Sequence, residues 1–170
     1  FIRQAEIANL VEEAESLVQV AHRYDGDSVT FYEEDDKGCS DDGSLDSAVR
    51  STRHPNRYCQ ILNYQIPNHS DLRAIYLWPP LTEFIRQVLN VEQLFLSQCP
   101  HLALTMKVAY EGDTDGWHYD PNDGVITLVL QAADSGGEFE YAPNIRNNND
   151  QNYAGVDRLF KSPDVEATRL

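Results

Sequence analysis

Gly116-Trp117-His118-Tyr119-Asp120 sets an imidazole and a carboxylate two positions apart. In an extended segment, side chains two apart point to the same side. His118 and Asp120 can therefore face one ion together. Such a pair supplies two of the three donors of a 2-His-1-carboxylate iron site. The third donor is expected to be a His further along the chain. His22, His54, His69 and His101 all precede the motif, and no His follows His118. The bare pair is also common: this composition yields about one-half of a His-x-Asp match by chance. The competing interpretation is a surface turn whose imidazole is only hydrogen-bonded.

Other residues around the pair have types suited to binding. Asp115 is placed to meet a cationic group of a substrate, or to be a solvated turn residue. Trp117 and Tyr119 alternate to the opposite side, where they can pack the mouth of a site. Thr127 and Gln131 lie on the following apolar run and line either a cavity or the core. Arg57 can reach a carboxylate of a substrate or co-substrate, or sit on the surface. Arg146 reads as structural. Calcium loops are excluded: neither 113–116 nor 120–124 has the required register, and no Glu stands at the twelfth position. A P-loop, a GxSxG elbow and a CxxC pair are also absent.

The elements that must hold these residues change in character along the chain. Residues 1–22 carry Ile2, Ile7, Leu10, Val11, Ala14, Leu17, Val18 and Ala21 at helical spacing. Residues 28–32 (SVTFY) and 59–65 (CQILNYQ) predict strands. Residues 38–51 predict a loop. Ser70 predicts the cap of a helix that Pro79-Pro80 interrupts. A second helix is expected over 81–89, with Phe84, Ile85 and Val88 turned inward. Past Pro100, residues 102–110 alternate in the manner of a half-buried strand. Residues 125–130 (VITLVL) and 138–141 predict two more strands, and 144–155 a polar Asn-rich loop. The expected organisation is one domain over 1–170. Its first hundred residues are helical support with an acidic loop near 33–46, and 101–170 form a β core.

Charge narrows the partners. The 170-residue chain has a net charge of -15, which repels nucleic-acid backbones and anionic membrane surfaces. No apolar run is long enough to span a membrane. Its three cysteines lack metal-site spacing, so reduced thiols and a cytoplasmic location are expected. Phe1 falls inside a helical pattern, and Leu170 arrives before the β core closes. Both ends are therefore expected to be truncated.

The stretches 116–120, 126–131 (ITLVLQ) and 136–146 (GGEFEYAPNIR) resemble the iron(II)/2-oxoglutarate-dependent oxygenases. They are most similar to the bacterial subgroup of small amino-acid hydroxylases and their radical-halogenase relatives. Residues 55–64 (PNRYCQILNY) and 72–89 resemble the same subgroup, so the likeness runs from about residue 55 onward. It implies an α+β fold: a double-stranded β-helix, or jelly roll, buttressed by N-terminal helices, with its C-terminal part missing here. It also implies Fe(II), 2-oxoglutarate and O2 as cofactor and co-substrates, with a small-molecule substrate such as a free amino acid. His118 and Asp120 match the first His and the carboxylate ligand. The distal His and the basic residue that grips 2-oxoglutarate would lie on later strands. Halogenases carry a small residue where Asp120 stands, so the likeness favours hydroxylation. A non-catalytic acidic jelly-roll binding protein and a halogenase remain the alternatives.

Overall fold

The structure, a computed structural model, describes residues 4–31, 43–120, 124–147 and 149–169. It mixes helices with small antiparallel sheets, and no barrel forms among the described residues. The acidic run at 33–42 lies outside them. The chain divides into two compact units, 1–25 with 57–113, and 26–56 with 114–170. Strands β1 (His22–Val29), β2 (Arg53–Ile61) and β3 (Met106–Val108) form a sheet in that order.

In the first unit, α1 (Gln4–Leu17) follows from its periodic apolar face, on which Leu10 is buried. Glu13 on that helix accepts from the backbone amides of Asp71 and Leu72 at 3.1 and 3.4 Å. It thereby helps satisfy the free amides that open α3 (Asp71–Tyr76), as does the Ser70 hydroxyl, which accepts from Arg73. Strand β3 pairs antiparallel with β2, setting buried Ile61 opposite buried Met106. Tyr58 carries Tyr24 stacked at 5.7 Å and the Lys107 ammonium 4.5 Å from its ring centre. After β3, Asp113 closes a turn by accepting from the Tyr110 amide at 2.9 Å. Arg23 grips the same carboxylate with bonds of 2.7 and 2.5 Å. That grip holds the Asp113 carboxyl at about 2, well below its ordinary range.

Four expectations fail in this unit. Helix α4 (Pro79–Leu89) begins at the two prolines instead of after them. Proline is well suited to a first turn, where the missing N–H has no intrahelical partner. Phe84 and Val88 on α4 are not inward: they are 62% and 66% exposed. Periodicity locates an apolar stripe but does not supply a surface to cover it. The first strand also lies earlier than expected, at β1 instead of 28–32. The third strand shrinks to Met106–Val108, because only those residues find a partner in β2.

The second unit is built on Phe31, Val49, Val156 and Leu159, all buried. Tyr119, Ile145, Tyr153 and Phe160 pack against this core. Two helices supply most of it. Helix α2 (Leu45–Ser51) replaces the expected loop, because the Ser44 hydroxyl accepts from the Ser47 amide and caps it. Helix α5 (Tyr153–Lys161) starts inside the expected Asn-rich loop and packs on α2. A short helix α6 (Pro163–Glu166) follows. Strands β4 (Glu140–Tyr141) and β5 (Thr168–Arg169) pair antiparallel. Residues 125–130 are not a strand, and Val125, Ile126, Leu128 and Val129 are 50–65% exposed. An apolar run becomes a strand only where another strand accepts its backbone bonds, and none does so among the described residues. The β core expected over 101–170 is thus reduced to short pieces beside two helices. No helix among the described residues is long and apolar enough to cross a membrane. Cys59 and Cys99 are free thiols, as expected; Cys39 lies outside the described residues.

Candidate functional site

The segment 115–120 is held on its backbone before any side chain is considered. Asn56, buried in β2, turns its carbonyl oxygen to accept from the Gly116 amide and donates its amide group to the Ser28 hydroxyl. Thr30, also buried, donates its hydroxyl to the Trp117 carbonyl at 2.8 Å. Gly116 itself is buried against β2. A Cβ at that position would lie 2.5 Å from the His54 Cβ and 3.3 Å from the Pro55 carbonyl. Glycine is needed here for space. His54 is packed edge-on to Phe160, 4.5 Å between ring centres. Its buried Nε2 has no hydrogen-bond partner, and burial lowers its pKa.

On this fixed backbone, His118 lies between two carboxylates. Its Nδ1 is 2.7 Å from the Gly116 carbonyl. A carbonyl only accepts, so Nδ1 carries the proton in the neutral ring. The lone pair is then on Nε2, and Nε2 lies 3.5 Å from Asp120 Oδ1. Asp115 Oδ1 lies 3.9 Å from Nδ1. The His118 side chain is one-third exposed and that of Asp120 about half, so an ion can approach from solvent.

The donor pair fits two positions of a metal centre. Donors about 2.1 Å from one ion and at right angles would be about 3.0 Å apart. The observed 3.5 Å needs only about 0.5 Å of closing motion. The carbonyl bond to Nδ1 is the outer contact that fixes a ligating imidazole in the required tautomer. Among the described residues, however, no three His, Cys, Asp or Glu side chains converge as a set able to hold an ion.

The remaining expected residues have varied fates. Asp115 joins the pair. Trp117 is half-buried beside it, held through its carbonyl. Tyr119 packs on the core, 5.3 Å from Phe31 between ring centres, where the mouth of a site was expected. Thr127 and Gln131 are exposed beside the run that forms no strand, so neither packs in a core. Arg57 is exposed and belongs to the first unit. Sequence reasoning did not single out Thr30 or Asn56. Asn56 lies before the strand expected over 59–65, inside the observed β2, so no local signal marked it; Thr30 offers none either. No family model matches the chain, and no curated protein or solved structure matches it either.

Proposed function

We propose that this chain is an iron(II)- and 2-oxoglutarate-dependent hydroxylase of a small polar molecule, a free amino acid or close derivative. One observation carries the reading: His118 Nδ1 lies 2.7 Å from the Gly116 carbonyl while Nε2, on the other side of the ring, lies 3.5 Å from Asp120 Oδ1. His118 and Asp120 would hold the iron. Bound iron supplies the means to use O2, with 2-oxoglutarate as the reductant. The chain's own residues do the positioning. Asn56 and Thr30 keep the segment in place, and Asp115 adds negative charge suited to an amino group of the substrate. The presence of Asp120 favours hydroxylation over halogenation. The reading carries with it a double-stranded β-helix as the parent fold.

The test is an anaerobic titration of the protein with Fe(II) and 2-oxoglutarate. The expected result is a visible absorption band from the bidentate chelate, absent in His118→Ala and weakened in Asp120→Ala. A parent protein that gives no band, or gives the same band as His118→Ala, overturns the proposal. The lack of a third converging donor among the described residues favours a second reading, a non-catalytic acidic binding protein. That protein would bind small amines in calorimetry without any response to iron.

A further inference from the structure

Tyr119 lies between the two proposed ligands in sequence, and its ring has two close neighbours. Phe31 of the core sits 5.3 Å away and in turn contacts Tyr153 at 5.4 Å. The guanidinium carbon of Arg146 stands over the ring, 3.6 Å from its centre. A cation that close over an aromatic face is held by the ring quadrupole and by planar stacking. We propose that Arg146 is a positioning residue for the His118–Asp120 pair, acting through the Tyr119 ring; this rests on the metal-site reading of that pair.

Arg146 is itself fixed from α5. Its Nη1 donates to Gln151 Oε1 at 3.0 Å. The preceding carbonyl, that of Ile145, accepts from the Asn152 side-chain amide at 2.8 Å. The Asn152 side-chain oxygen accepts from Gly155 and caps α5. A continuous set of contacts thus runs from the first turn of α5 to the Tyr119 ring. Tyr119 turns to the Phe31 core, while His118 and Asp120 meet each other. Arg146 therefore backs the pair and is not itself a ligand. Holding the Tyr119 ring would narrow the excursions of the backbone beside it and so help keep the Gly116 carbonyl within reach of His118 Nδ1.

The decisive measurement is the neutral tautomer of His118, read by long-range proton–nitrogen NMR on the metal-free full chain at alkaline pH. Signals are assigned by their loss in His118→Ala. The parent should carry its proton on Nδ1. Arg146→Ala should shift the population toward Nε2–H and weaken Co(II) binding about 10- to 100-fold. Gln151→Ala should shift it less in the same direction, and Arg146→Lys, which keeps a cation over the ring, should restore most of it. A purely structural role would lower the melting temperature and leave the tautomer unchanged, and that result overturns the proposal. If Arg146→Ala does not fold, Gln151→Ala decides by the same criterion. A parent that binds no Co(II) ends the metal reading alone, since the tautomer shift still tests the clamp.

Discussion

Replacing Gly116 by alanine adds a single carbon where β2 leaves no room for it. The new Cβ would stand 2.5 Å from the His54 Cβ, 3.1 Å from Asn56 Oδ1 and 3.3 Å from the Pro55 carbonyl oxygen. Carbon atoms ordinarily settle about 3.5–4.0 Å apart, so the segment must retreat by about 1 Å. None of the three neighbours is the far end of a flexible side chain. The His54 Cβ and Pro55 carbonyl move only with the strand, and Asn56 is fixed by its bond to Ser28. Overpacking of this kind costs about 1–3 kcal/mol. Retreat also stretches the Gly116–Asn56 hydrogen bond, which puts the expectation in the upper half of that range. For a chain of this length each kcal/mol lowers Tm by about 2–4 °C, so a fall of about 4–12 °C is expected in a calorimetric melt. The Gly116 carbonyl moves with the segment, so Co(II) affinity should fall with stability. Gly124→Ala is the control, because a Cβ there meets nothing within 4 Å, and its Tm should hold or rise slightly. A Gly116→Ala protein that melts with the parent and binds Co(II) equally well would refute the packing of this segment on β2.

Three further outcomes follow from the first unit. Arg23 and the Tyr110 amide hold the Asp113 carboxyl at about 2, against an ordinary value near 3.8, so the unfolded chain takes up this proton first as pH falls. The stabilisation is complete above about pH 4 and is lost toward pH 2; melting curves of the parent and Asp113→Asn should differ at neutral pH and converge at the acid end, and a constant difference would discount the ion pair. Ile61→Ala, at a fully buried position, should cost about 2–5 kcal/mol in urea unfolding. Phe84→Ser, at a side chain 62% exposed, should stay within about 0.5 kcal/mol, whereas a large loss there would restore the inward α4 face that periodicity suggested.

Local chemistry was legible in the sequence, and partnership was not. The α1 face, the Ser70 cap and the same-side placement of His118 and Asp120 each depend on residues a few positions apart, and all three appear in the structure. Helix α5 was legible in principle: Val156, Leu159 and Phe160 have helical spacing behind the cap Asn152. The density of Asn before it hid the signal. Residues 125–130 show the opposite failure, since an apolar run specifies burial but not what buries it. The same limit applies to the half-site. The bonds that fix it come from Asn56 and Thr30, 60 and 87 positions away in the chain, and such contacts leave no local periodicity. Arg146 read as structural in the sequence. Its place 3.6 Å over the Tyr119 ring is the basis of the more specific role proposed for it, because that ring separates the two proposed ligands. A His-x-Asp pair is expected by chance in about every second chain of this composition, so the motif alone says little. What supports the proposed site over an ordinary surface turn is that the ring between the two residues lies under Arg146 and that the imidazole meets a buried glycine carbonyl.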